Sequence, residues 1–265
     1  MFLLFNFTVM SFQEDVGFIM TRCVKKVEHN ILYKDSYAAI RKFYPTMKIV
    51  IIDDNSDKNI LEEIQMENVE IIESEYPGAG EFLPYYYLLT RKFFKKAICI
   101  QDSMMVNTMI PYNDVKDFMF LYELGIRNTI HYDMKRQASR EVTILINNTN
   151  IPNEMMEYYK DFKWVGCFGS CMVITLEFLE GMENRLGITK WISIINKRNF
   201  RIGLERAIGI VCSYMQPKRV DYSLFGNIID SQVARAPIYS FYDIEKYLKD
   251  KTYLKDKIIK VFNSR

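Results

Sequence analysis

Polar clusters close four runs of apolar, β-branched sequence, and their residue types set the chemistry open to this chain. Thr21 and Arg22 follow the first run, Asp53, Asp54 and Asn55 the second, Glu73, Ser74 and Glu75 the third, and Gln101, Asp102 and Ser103 the fourth. If the runs are parallel strands, these groups converge on one edge, because ligands of open α/β sheets bind beyond the carboxyl ends of the strands. A pocket that presents carboxylates rather than glycine amides suits a ribose, a sugar or a metal-bridged phosphate, and does not suit naked phosphate. No Gly-x-Gly-x-x-Gly follows the first run, which argues against a dinucleotide site, and no Gly-x4-Gly-Lys-Ser/Thr occurs. Tyr76-Pro-Gly-Ala-Gly-Glu81 holds two glycines, Gly78 and Gly80, that either let backbone approach a ligand closely or make an ordinary turn before a helix. Glu205 and Arg206 interrupt a mostly apolar stretch. A charged pair there is either a helix-to-core salt bridge or an acid–base group.

The elements that must position these groups alternate through the first half. The spacing predicts strands at 16–21, 48–52, 69–72 and 97–100. Helices are expected at 27–44, ended by Pro45, and at 82–94, with a short helix running from the Asp53–Asp57 turn through Glu63. Strands alternating with helices imply parallel pairing and right-handed crossovers. In the second half, 118–124 reads as a strand or a buried helix. Short strands are expected at 164–168 and 172–175, and helices at 176–186 and 199–214. Segment 243–262 alternates lysine with Asp and Glu and reads as a helix with a solvated face. The Tyr85-Tyr86-Tyr87 run reads as core and sheet packing.

Composition narrows the function classes. Of the 265 residues, 49% are apolar and 26% charged, enough for a large core and against disorder. A formal net charge of +2 gives no clustered basic excess, so nucleic acid is not an expected partner. The five cysteines are irregularly spaced and odd in number, which suits reduced thiols in a cytosol-like compartment, and the expected location is cytoplasmic. Cys167 and Cys171 form a C-x3-C, but with only His29 and His131 in the chain no zinc site is expected. Residues 1–12 are apolar, lack a basic n-region and are too short to span a bilayer; they read as a packed strand or arm, with an uncleaved anchor as the lesser alternative, and no transmembrane segment is expected. The sequons at Asn6 and Asn147 carry meaning only in a secreted chain.

The order strand, helix, Ile51-Ile-Asp-Asp-Asn-Ser56, strand, loop, helix and Ile100-Gln-Asp-Ser103 resembles the GT-A glycosyltransferases. It is closest to their family-2-like branch and to glycosyltransferase-like proteins of large DNA viruses, whose setting would be the host cytoplasm. The resemblance covers about 16–106 well and the rest loosely. It implies a single α/β domain over 1–265 with a mixed, mainly parallel sheet flanked by helices. Within it, 14–106 would be the nucleotide-binding half, 107–240 the acceptor-side half and 241–265 a C-terminal helical segment. It implies a nucleoside diphosphate sugar of the UDP or GDP type as donor and an unidentified glycan or protein as acceptor. Asp53 and Asp54 would hold the nucleoside, with Asn55, Thr21, Arg22, Gly78, Gly80, Gln101 and Ser103 around the donor. The bland alternative for Asp53–Asp57 is a strand-ending turn that caps the next element.

Asp102 matches the first acid of the family's Asp-x-Asp motif, which binds the ribose or a Mn²⁺ or Mg²⁺ ion. The second acid is absent here: Ser103-Met104 follow, and a thioether is a poor ligand for a hard cation. Without a metal, cations must offset the diphosphate, and Arg22, Lys197, Arg198 and Arg201 are the candidates. Glu205 is the candidate catalytic base. Trp164 and Gly166 would form an acceptor floor, or else Trp164 is a structural tryptophan. A GT-A-like module without catalysis, serving in binding or as a scaffold, is the alternative function.

Overall fold

Alternation with a period of two sends successive strand residues to opposite faces of a sheet. In the computed structural model of the protein, which describes residues 14–124, 139–161, 164–228, 238–239, 249 and 257–261, both sets are buried along 17–22, 49–53 and 97–100. The chain runs β1 (Glu14–Arg22), α1 (Asn30–Phe43), β2 (Ile49–Asp53), β3 (Val69–Glu73), α2 (Leu83–Arg91) and β4 (Phe94–Gln101). β5 (Met104–Val106), β6 (Phe118–Phe120), β7 (Glu123–Leu124), α3 (Ser139–Asn147) and α4 (Pro152–Lys160) follow. β8 (Gly166–Cys167), β9 (Met172–Thr175), α5 (Leu176–Leu186), α6 (Arg198–Met215), β10 (Ile238–Tyr239) and β11 (Ile258–Val261) complete it.

The central sheet has six strands in the order β3-β2-β1-β4-β9-β6. β1 to β4 pair in parallel, and β9 runs antiparallel to both of its neighbours. Phe18, Met20, Ile49, Ile51, Ile98 and Ile100 pack on one side with Tyr33 and Ile40 of α1. Ile19, Val50, Ile52, Ala97 and Cys99 pack on the other with α2, α3, α5 and α6. Covering both faces is what lets 16–20, 49–52 and 97–100 run without a polar side chain, as parallel strands do. β3 is one of the two terminal strands, and Glu70 and Glu73 blunt its edge. A small sheet, β10-β11-β5, lies beyond α1, whose Leu32 packs on Met105, Ile259 and Val261. Among the described residues no helix is long and apolar enough to cross a membrane.

The order places β2 and β3 on one side of β1 and β4 on the other. The connections that leave the carboxyl ends of the paired strands β1 and β4 therefore diverge at a topological switch point, where an open α/β sheet leaves a crevice. α6 overhangs that crevice because it docks unusually close to β8. A Cβ added at Gly209 would lie 1.9 Å from the Val165 carbonyl oxygen and 2.8 Å from Gly166 Cα. Helix propensity favours alanine over glycine by about 1 kcal/mol, but backbone in the way cannot swing aside. Gly209→Ala is therefore expected to destabilise the protein by about 3 kcal/mol, read as a fall in the urea midpoint; an unchanged midpoint would refute the close docking of α6.

Several elements differ from the sequence expectation. No helix follows Asp53–Asp57. Asn30 instead donates to the Ile60 carbonyl at 2.7 Å and accepts the Glu62 N–H at 2.9 Å, so tertiary partners satisfy backbone that a helix would have used. The helix expected to reach position 94 ends at Arg91, where Lys92 turns left-handed (φ 53°) and Phe94 opens β4. Segment 118–124 is two short strands, and α3, α4 and β5 were not expected. Segment 243–262 lies largely outside the described residues, but its end is β11, a strand rather than a helix. The expected arm at 1–12 lies outside the described residues. None of the five cysteines, all within the described residues, forms a disulfide.

Candidate functional site

The crevice at the switch point is a cleft open to solvent, with a cavity volume of about 150 Å³. Thr21 and Cys23 reach it from the end of β1, Asp54 from the β2 loop, and Gln101, Asp102 and Ser103 from the end of β4. Gly80 and Glu81 come from the turn before α2, and Phe168 and Gly169 from the turn before β9. α6 contributes Arg198, Arg201, Ile202 and Glu205, whose spacing puts them on one helix face. Lys260 and Val261 of β11 complete the lining. The cleft thus draws on all three stretches, 14–106, 107–240 and 241–265.

Asp54 and Asp53 part company. Asp54 faces the cleft and accepts the Gly78 N–H at 2.6 Å and the Gly80 N–H at 3.2 Å, so it anchors the glycine loop. Burial raises its pKa, and the Gly78 N–H and the Arg201 charge oppose that rise. Gly80 itself lines the cleft with φ +49°, and a Cβ there would sit 2.5 Å from Arg201 Cδ. Gly78 stands behind the lining, packed toward Asn196.

Asp53 does not face the cleft. Its carboxylate is fully buried, takes the Arg22 Nε–H at 2.7 Å and the Ser56 N–H at 2.7 Å, and is out of reach of a nucleoside. Arg22, buried and set over the Tyr33 ring, is its partner rather than a phosphate ligand. Asn55 is exposed, and its carbonyl accepts from the Lys25 ammonium outside the cleft. Asp53 and Asn55 thus belong to the bend that ends β2, and no helix follows for that bend to cap.

The fourth strand delivers its polar end intact. Asp102 is 2% exposed, accepts the Cys23 N–H at 2.9 Å and donates its own N–H to the Thr21 carbonyl, which ties the tips of β1 and β4 together. Gln101 donates to the Gly169 carbonyl at 2.8 Å and to Glu81 at 3.2 Å. Its carbonyl oxygen and Ser103 Oγ both accept from the Lys260 ammonium.

Glu205 is 22% exposed and lines the cleft while pairing with its neighbour Arg206. One oxygen accepts the Gly169 N–H at 2.8 Å, and the other lies 3.5 Å from Arg206, whose guanidinium is buried. Burial pushes its pKa up to about 7; Arg206 and the Gly169 N–H pull the other way, while Glu81 adds to the rise. A carboxylate titrating near neutrality at the rim of a cleft has the proton affinity that a general base needs.

The acceptor floor is corrected. Trp164 is 1% exposed, donates its indole N–H to the Tyr159 carbonyl at 3.0 Å and packs on the Tyr159 ring. Gly166 lies in β8 against Leu124 and Gly209. Neither reaches the cleft; Phe168 and Gly169, farther along the same segment, do. Of the expected cations, Arg198 and Arg201 line the cleft, whereas Lys197 and Arg22 do not. Two charged contributors to the lining went unassigned from sequence. Glu81 stands next to Gly80 in the glycine motif. Lys260 sits in Ile258-Ile259-Lys260-Val261, a β-branched run that signals a strand.

The metal position fits a divalent ion poorly. It offers one carboxylate, Asp102, beside the neutral oxygens of Gln101 and Ser103, whereas hard cations favour carboxylate-rich sets. Among the described residues no group of three or more His, Cys, Asp or Glu is placed to hold a metal. No protein-family model matches the chain, and no curated protein matches it.

Proposed function

We propose that this cleft binds a nucleoside diphosphate sugar and transfers its sugar to a hydroxyl-bearing acceptor. The observation that carries the proposal is the meeting of two kinds of group at the β1/β4 switch point. Asp54, Glu81, Asp102 and Glu205 can accept from sugar and ribose hydroxyls, and Arg198, Arg201 and Lys260 can face a diphosphate. The mainly parallel sheet with helices on both faces, compatible with a Rossmann-like fold in general, is also compatible with the GT-A resemblance.

The start of α6 adds support. Lys197, Arg198 and Arg201 crowd the first turn of an 18-residue helix that has no acid there. Cations at a helix N-terminus oppose the macrodipole. Such a local conflict is expected where an anion is to be bound.

In this account Asp102 and the glycine loop held by Asp54 position the ribose and the diphosphate. Glu205 takes the proton of the acceptor hydroxyl as that oxygen bonds to the anomeric carbon. The bond from that carbon to the phosphate oxygen breaks, and its electron pair leaves with the nucleoside diphosphate. The test is a thermal-shift panel of UDP and GDP sugars. A ligand at one hundred times its dissociation constant stabilises by about 2.7 kcal/mol, so at least one member should raise the Tm; a flat panel would end the proposal.

The incomplete metal motif favours a second reading, a binding or scaffold module of the same fold. Donor binding without release of nucleoside diphosphate, in the presence of varied glycan acceptors, would select it.

A further inference from the structure

The oxygens at the metal-motif position are already engaged by a cation of the chain itself. Lys260 is 7% exposed, and its ammonium donates to Ser103 Oγ at 2.7 Å and to Gln101 Oε1. Strand pairing puts it there: β11 runs antiparallel to β5 with Lys260 opposite Met104, and the Val261 N–H donates to the Ser103 carbonyl at 2.9 Å. Ile259 and Val261 on either side are fully buried, so the register of the lysine is fixed by its neighbours. Burying an ammonium costs desolvation and side-chain entropy. Neutral amide and hydroxyl oxygens accept well from an ammonium but are weak ligands for Mn²⁺ or Mg²⁺.

We propose that Lys260 is the resident cation of the cleft, standing where a divalent metal would and binding the diphosphate of the donor, so that donor binding needs no divalent metal. The identity of the donor rests on the glycosyltransferase reading; the anion site does not. As the sugar leaves, negative charge develops on the departing phosphate oxygen. The ammonium offsets it through N–H···O⁻ bonds and keeps its protons.

Inorganic pyrophosphate, UDP and GDP, titrated calorimetrically in EDTA and again in Mg²⁺, test this on the full chain. Wild-type protein should bind pyrophosphate equally in both buffers, within about two-fold. Lys260→Met, which keeps the stem, should weaken binding by about ten-fold or more, and Lys260→Arg should retain most of it. Binding that requires Mg²⁺, binding unchanged in Lys260→Met, or no pyrophosphate binding at all would overturn the assignment. If pyrophosphate binds through Lys260 but UDP and GDP bind no tighter, the Lys260 site stands and the nucleotide-sugar reading falls. Should Lys260→Met not fold, the comparison of EDTA with Mg²⁺ on wild-type protein decides alone.

Discussion

Replacing Glu205 with glutamine is expected to slow sugar transfer by about 10²- to 10⁴-fold and, at the same time, to make the protein more stable above neutral pH. The two effects have one cause. The cleft and the α6 surface desolvate the Glu205 carboxylate, which raises its pKa from the usual 4.5 to about 7. The folded chain therefore holds a proton that the unfolded chain has lost, over the window from about pH 4.5 to 7. Below that window both states are protonated and the group costs nothing. Above it both are ionised, and the folded state bears a penalty of about 3 kcal/mol at most.

Glutamine keeps an oxygen for the Gly169 N–H and never ionises. Glu205→Gln should therefore match wild-type stability near pH 4 and exceed it at pH 8 in urea unfolding. Wild-type kcat/KM should rise with pH through about 7 and level off, as the base loses its proton. Full activity in the variant, or a stability difference that does not change with pH, would remove Glu205 from the base role.

The second large effect concerns Asp53. Asp53→Ala should lower stability by about 3–5 kcal/mol, a large part of the total for a domain. It strands the buried Arg22 guanidinium without its carboxylate and frees the Ser56 N–H that Asp53 accepts. Adding Arg22→Met to that variant should recover much of the loss, because a buried pair can be replaced by apolar groups at little cost. Nucleotide affinity of the folded Asp53→Ala protein should stay within a few-fold of wild type. Near-wild-type stability with lost nucleotide binding would instead return Asp53 to the donor site.

The contrast between Asp53 and Asp54 shows where sequence reading reaches its limit. Strand ends were legible because Ile49 to Ile52 and Ala97 to Ile100 carry unbroken β-branched or apolar residues. α5 was read at its observed ends because local chemistry fixes it, with Thr175 accepting the Phe178 N–H at the start and Gly187 left-handed at the finish. Which of two adjacent aspartates faces the cleft depends on Arg22, which arrives from the neighbouring strand, and no local pattern encodes that. Asn30 likewise overrides helix formation across Ile60 to Glu62 from another element.

Thr21, Gly80, Gln101, Asp102, Ser103 and Glu205 were legible because topology alone gathers strand ends and α6 presents one face. Trp164 and Gly166 were misplaced because a tryptophan beside glycines looks the same whether it stacks on a sugar or on Tyr159. Lys260 was missed because its place is set by pairing with β5, a contact between positions far apart in the chain.

The most direct measurement is a calorimetric titration of UDP and GDP sugars into wild-type protein and into Asp102→Asn. The cleft described here should bind at least one of them, and Asp102→Asn should weaken that binding by about ten-fold. Absence of heat and of any Tm shift with every donor, or binding that ignores the loss of the Asp102 charge, would contradict a nucleotide-sugar site between β1 and β4.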